Sequence, residues 1–109
     1  MEIDRELLKG SISLLLLSLL SRGEMYGFEI FREASRRSAD AFAFKEGTLY
    51  PALHQLEKRG LVKAEWRTGD NNRERKYYSL TAKGRKAGKE SERQWRHLTG
   101  AMKAILESH

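Results

Sequence analysis

The chain has no cysteine, one proline and three histidines among its 109 residues. Without cysteine there are no disulfides, no thiolate chemistry and no cysteine-type zinc site. His54 and Glu57 stand three residues apart on one predicted helix, but no third metal ligand accompanies them. Asp4, Asp40 and Asp70 fall in separate terminal or connector segments, so neither paired carboxylates nor a nucleophile beside a base emerges. An enzyme, a metal site and a cofactor are therefore not expected. Long hydrophobic runs are missing too. The greasiest stretch, Ile12 to Leu20, is broken by Ser13 and Ser18 and falls well short of the roughly 20 residues that span a bilayer. The opening Met1-Glu2-Ile3-Asp4-Arg5-Glu6 is too acidic for the basic end of a signal peptide. These absences point to a cytoplasmic protein with no membrane partner.

Charge, by contrast, is plentiful. Charged residues make up 33% of the chain and hydrophobic ones 39%, which suits one globular domain with a modest core. The net charge is +6 and unevenly spread: between Arg59 and Lys89 ten Lys or Arg stand against three acids, so this segment carries +7 and the remainder −1. A basic patch on a near-neutral background favours a polyanionic partner.

The lone proline organises the middle of the chain. Pro51 lacks the N–H that a helix interior requires, which predicts a helix starting near Gly47 or Thr48, with Thr48 able to cap it. Gly60 supplies the stop. Leu49, Ala52, Leu53 and Leu56 fall on one stripe of about 100°. Gly47, Pro51, His54 and Lys58 fall opposite, flanked by Thr48, Tyr50 and Gln55. A short helix with a dry leucine side and a small, hydrogen-bonding, mildly basic side suits insertion into a DNA groove.

Upstream, Leu7 to Leu20 is expected to form a helix whose leucines surround it almost completely. Such a helix needs cover on more than one side, and a second subunit is the expected source of part of it. A second helix is expected from about Tyr26 to Ser38, with Ile30, Phe31 and Ala34 inward, and Ala39 to Lys45 as a short connector. Downstream, Leu61 to Arg67 and Glu74 to Leu80 alternate like strands around the turn-forming Thr68-Gly69-Asp70-Asn71-Asn72-Arg73. Tyr78 and Leu80 should face the core, and Arg73 and Arg75 the exposed tip. Thr81 should cap a last helix from Ala82 to about Glu107. Gly84, Gly88 and Ser91 give that helix a small face, while Trp95, Leu98, Met102 and Ile105 form a bulky seam at coiled-coil spacing with nothing left in the chain to cover it. The expected fold class is mainly α with a small β-hairpin: a winged helix-turn-helix over residues 1–80, and one long C-terminal dimerisation helix over residues 81–109 packed on the same core.

Gly47-Thr48-Leu49-Tyr50-Pro51-Ala52-Leu53 and Leu56-Glu57-Lys58-Arg59-Gly60-Leu61-Val62 resemble the recognition helix of PadR-type transcriptional regulators. Arg75-Lys76-Tyr77-Tyr78-Ser79-Leu80-Thr81-Ala82-Lys83-Gly84 resembles that family's wing strand and helix junction. Leu8-Lys9-Gly10 and Tyr26-Gly27-Phe28-Glu29-Ile30 are similar to its first two helices. The likeness covers nearly the whole chain in order, and the length is similar to the family's short branch. It implies a dimeric repressor that binds a pseudo-palindromic operator in double-stranded DNA and is released by a small effector. It also implies that Trp95 matches a tryptophan that, in some short relatives, lines a flat hydrophobic pocket between subunits.

The residues nominated for DNA are Lys45, Thr48, Tyr50, His54, Gln55 and Lys58 on the proline-bearing helix, and Lys63, Arg73, Arg75 and Lys76 on the hairpin. Thr48, His54 and Gln55 carry groups able to read base edges, whereas the hairpin cations would hold phosphates. A second group, Leu15, Leu19, Trp95, Leu98, Met102 and Ile105, is expected at a homodimer interface or an effector pocket within it. There Trp95 either packs as interface core or contacts a planar hydrophobic effector. The alternative is a dimeric ligand-sequestering or interaction module that keeps the winged fold without binding DNA.

Overall fold

The computed structural model describes residues 10–42 and 44–108. The expected helix start at Leu7 lies outside the described residues, as do Leu8 and Lys9. Gly10 and Ser11 form a turn, and helix α1 runs Ile12–Leu20. It packs against four elements of its own chain: α2 (Gly27–Arg37), α3 (Glu46–Lys58), strand β3 (Glu74–Leu80) and α4 (Ala82–Leu106). That is why a helix apolar on nearly every side is stable here, and why Leu16, Leu17, Leu19 and Leu20 are all buried. For these four leucines the expectation that a second subunit supplies the cover is corrected, while Leu14 stays half-buried. Leu19, 6% exposed, belongs to the core of its own chain, and Leu15 is half-buried at the core's edge.

Helix α2 opens with the Tyr26 N–H donating to the Glu29 carboxylate at 3.1 Å, which ties down its first turn. Ile30 and Ala34 are buried as the spacing requires. At its end the Ser38 hydroxyl donates to the Ala34 carbonyl (2.6 Å) and accepts the Phe42 N–H (3.0 Å). The connector is more than a spacer, because Phe44 is buried and Phe42 half-buried beside it, with ring centroids 6.3 Å apart. These two rings give the core an anchor outside any regular element.

Helix α3 begins at Glu46 with Lys45 in the cap position, so Thr48 is not the cap. Pro51 therefore lies in the second turn rather than the first. The Gly47 carbonyl lacks the donor four residues on, but Gly47 and Pro51 are both exposed, which leaves that oxygen open to water. The other end closes as a Schellman motif. Gly60 adopts φ 75°, its N–H donates to the Glu57 carbonyl (3.0 Å), and the Leu61 N–H donates to the Leu56 carbonyl (2.9 Å). Leu56 and Leu61, the apolar pair of such a closure, are both buried.

Three antiparallel strands follow the order β1-β3-β2, with β1 at Met25–Tyr26 and β2 at Val62–Thr68. The hairpin sets Val62 opposite Leu80, Ala64 opposite Tyr78 and Trp66 opposite Lys76. Val62, Tyr78 and Leu80 are buried, in line with the alternation. Strand β1 was not foreseen, since two residues are too few to show a period; it pairs Met25 with Tyr78 and Tyr26 with Tyr77. At the hairpin tip Asn71 and Asn72 take left-handed backbone (φ 65° and 56°), which asparagine tolerates better than most residues.

Thr81 caps α4: its hydroxyl oxygen accepts the Gly84 N–H (3.0 Å) and donates to the Gly60 carbonyl (2.6 Å), joining the start of α4 to the end of α3. A Cβ on Gly84 would overlap the Leu61 carbonyl, so the small face lets α4 lie directly on the backbone below it. Further along, α4 runs past the core. Trp95, Leu98, Met102, Ile105 and Leu106 are 46–76% exposed, and the Glu90–Arg93 and Glu92–Arg96 pairs occupy the other side of the helix. Among the described residues no helix is long and apolar enough to cross a membrane.

Candidate nucleic-acid interface

Full burial of Leu49, Leu53 and Leu56 turns the opposite side of α3 outward. Lys45, His54, Gln55 and Lys58 are exposed there with Gly47 and Pro51, whereas Thr48 is half-buried on the flank. Tyr50 leans toward α2. Its ring stands edge-on to Phe31 at 6.3 Å, and its hydroxyl lies where a Cβ on Gly27 would be. The tyrosine therefore reads as a strut between α2 and α3 whose outer part still meets solvent.

Strand alternation divides the nominated wing residues between two faces. Lys76 lies on the α3 side, and Lys63 and Arg75 on the outer side. The Lys76 ammonium is 3.8 Å from the Glu57 carboxylate and sits near the rings of Trp66 (6.0 Å) and Tyr78 (5.5 Å). Burial raises the Tyr78 hydroxyl above its ordinary pKa, helped by the Glu57 charge. Arg75 stands in the second pair from the turn with its guanidinium beside Gly69, but it is not exposed there. It is half-buried with its guanidinium 4.5 Å above the Tyr26 ring, because β1 brings that ring under it; Arg73 keeps the exposed tip position.

The outer face is a connected set of cations and rings. Tyr26 and Tyr77 meet edge-to-face at 5.4 Å, and Arg67 lies 4.9 Å over Tyr77. Arg67 also donates to both Glu24 (Nη2–Oε2 2.8 Å) and Glu65 (3.3 Å). Its hydrogen bond holds the Glu24 carboxyl below the ordinary carboxylate value against an opposing effect of burial, and the same pairing raises the Arg67 guanidinium. The charge of Arg67 is thus committed to acids of its own chain. Lys63 shares this face and adds to the field on Glu24, away from the outward side of α3.

Between α3 and the wing lies an open cleft of about 590 Å³. Tyr50, His54 and Glu57 form one wall and Trp66, Glu74, Lys76 and Tyr78 the other; Tyr26, Gly27 and Phe28 close one end, where Arg75 reaches in over the Tyr26 ring from the outer face of the wing. The cleft gathers Tyr50, His54, Arg75 and Lys76 from the nominated set and leaves Lys45, Thr48, Gln55, Lys58, Lys63 and Arg73 outside it. It also contains Trp66, which was not nominated. The alternation Val62, Ala64, Trp66 places the indole on the core side but does not reveal that the core ends before reaching it. On α4, Trp95, Leu98, Met102 and Ile105 share an uncovered side, but a hollow of about 270 Å³ there is lined by Met102 and Leu106 and not by Trp95.

Residues 16–90, from the buried leucines of α1 through the hairpin into α4, match the family model described as the transcriptional regulator PadR-like family. The chain belongs to that family. This PadR-like regulator is 36% identical over 89 residues to a transcriptional regulator of Mycobacterium tuberculosis, covering 82% of this chain and 79% of the relative. Among solved structures it is similar to a PadR family transcriptional regulator from Eggerthella lenta (33% identity, TM-score 0.83, 95% of this chain and 88% of that one). A transcriptional regulator from Clostridium thermocellum is comparable (31% identity, TM-score 0.82, 92% and 94% covered). In this PadR-like regulator the matched segment holds both walls of the cleft, and the apolar seam from Trp95 onward lies beyond it.

Proposed function

We propose that this PadR-like transcriptional regulator works as a homodimer that sets α3 of each subunit into the major groove of a pseudo-palindromic operator and represses until a small hydrophobic effector releases it. The observation that carries the reading is the division of α3 itself. Three leucines are fully buried on one side, while Gly47, Pro51, His54, Gln55 and Lys58 are exposed on the other, next to a basic wing. The small Gly47 and Pro51 allow close approach to the groove floor, where His54 and Gln55 have the donors and acceptors to read base edges. Lys45, Lys58 and Arg73 are exposed at positions suited to phosphates, which would supply affinity and orientation but not sequence choice.

The dimer reading is supported by the α4 seam, whose large apolar side chains are left in water by the single chain. In this reading the division of labour falls at residue 81: the preceding winged helix-turn-helix reads DNA, and α4 pairs the subunits. Two-fold pairing through α4 would present two copies of α3 to half-sites about 10 bp apart. A planar effector held between the two Trp95 rings would release DNA if it bound the DNA-incompetent arrangement more tightly.

The test is duplex binding to the DNA upstream of the protein's own gene over a salt series. Steep loss of affinity with salt, together with a site preference that survives competitor DNA, supports the reading. No binding at low salt rejects it in favour of an interaction or ligand-sequestering module.

A further inference from the structure

We infer that Trp66 is a DNA-contacting residue whose indole covers a deoxyribose of the strand running between α3 and the wing. The inference rests on the DNA-binding reading above and adds to it a contact that is not ionic. Along the inner face of β2, Val62 is buried and Ala64 half-buried, but Trp66 is 64% exposed, so the core stops at Ala64. An indole left in water forgoes one of the largest burial gains a side chain offers. Its cross-strand partner is Lys76, with the ammonium 6.0 Å from the ring. The ring lines the cleft across from Tyr50 and His54, on the side of the wing that faces α3.

The charges of the cleft decide what it can hold. Arg75 and Lys76 are balanced there by Glu57 and Glu74, so the lining carries no net positive charge to draw a phosphate inward. The exposed cations Lys45, Lys58 and Arg73 lie outside it. In an intact duplex the base faces are stacked on one another. The apolar surface a strand offers outward is therefore the C–H face of its sugars, plus thymine methyls in the major groove. A sugar against Trp66, with its flanking phosphates reaching the outlying cations, matches this pattern of charge. Such a contact adds affinity without reading sequence.

Duplex binding by the wild type, Trp66→Ala and Trp66→Phe over a salt series tests the inference. Trp66→Ala should bind roughly tenfold more weakly on operator and unrelated duplex alike, with the salt slope unchanged because no counterion contact is removed. Trp66→Phe, which keeps a ring, should retain most of the affinity, and thermal unfolding should hardly move for an exposed side chain. A second measurement reads the ring itself: saturating duplex should quench the tryptophan emission of the wild type by more than that of Trp66→Phe, in which Trp95 is the one tryptophan left of the two in the chain. Wild-type binding with Trp66→Ala unchanged, or Trp66 emission indifferent to duplex but responsive to a planar aromatic dye, overturns this inference while DNA binding stands. A loss confined to duplexes carrying one particular thymine overturns the sugar assignment. Failure of the wild type to bind any duplex at low salt overturns both readings together.

Discussion

The Lys76 ammonium stands 3.8 Å from the Glu57 carboxylate, so an ion pair ties the wing to α3. The two side chains are 34% and 37% exposed, and a pair so wet contributes under about 1 kcal/mol to stability. Its larger effect is on charge, since Glu57 offsets the wing cation that faces α3. Glu57→Gln should leave the unfolding free energy within about 1 kcal/mol of the wild type. It should also tighten duplex binding at low salt, with a salt slope steeper by about one. Urea denaturation and fluorescence anisotropy over a salt series check the two halves. Weaker binding by Glu57→Gln would show that the tether sets the wing's position and that geometry outweighs charge.

Two glycines on one face of α4 should respond oppositely to alanine. At Gly84 the added methyl would overlap the backbone carbonyl of Leu61, which no rotamer change relieves. Gly84→Ala should therefore destabilise the fold by about 3 kcal/mol, the upper part of the range for overpacking. At Gly88 the added methyl would meet only the Leu17 Cβ, at 3.4 Å, an ordinary contact. Gly88→Ala should be neutral or stabilising by up to about 1 kcal/mol through helix propensity. Thermal and chemical unfolding of the two variants side by side give the comparison.

Acid should weaken the fold, with a sign set by the paired carboxylates. The Arg67 hydrogen bond lowers the folded-state pKa of Glu24 below its ordinary value of 4.5, and Glu33 and Glu90 are lowered in the same direction by Arg36 and Arg93. The stabilisation from each is present above the ordinary value. It disappears as pH falls through the lowered one, because the unfolded chain binds the proton first. Glu24→Gln should flatten the acid limb of the stability curve as pH falls below the ordinary value of 4.5. At neutral pH the change should be small, as is usual for an exposed pair. Urea midpoints across that pH range check it.

What the sequence disclosed was whatever rests on local chemistry. Gly60 as a helix stop, Thr81 as a cap and the Tyr78–Leu80 alternation each depend on a residue and its near neighbours, and each stands in the structure as read. The misses depend on distant partners. The leucines of α1 give no sign that β3 and α4 return from more than 50 residues away to cover them, which is why the pattern points Leu19 to an interface while the structure buries it in the core of its own chain. Arg75 reads as exposed in the sequence because the two-residue strand carrying Tyr26, which half-buries it, leaves no periodic trace. Pro51 marked the neighbourhood of a helix start but not its first residue, because an exposed carbonyl can go without its helical donor. In the cleft, the polar residues of α3 were legible from their spacing. Trp66 was not, because where a core ends depends on how far the facing helix extends.

The apolar seam of α4 gives the sharpest test of the dimer. Full burial of a leucine or isoleucine side chain contributes about 1.5–3 kcal/mol, and two-fold symmetry makes every substitution count twice. Leu98→Glu places a carboxylate in the middle of that seam on a residue 55% exposed in the single chain, so the fold of each subunit should survive. Sedimentation should then report a folded monomer, and operator affinity should fall toward that of a single half-site because the second contact is no longer intramolecular. A Leu98→Glu protein that still sediments as a dimer would place the interface elsewhere. Trp95→Ala divides the remaining question. If the dimer persists while planar dyes lose their quenching, Trp95 serves an effector. If it dissociates as Leu98→Glu does, the indole is part of the seam's own core.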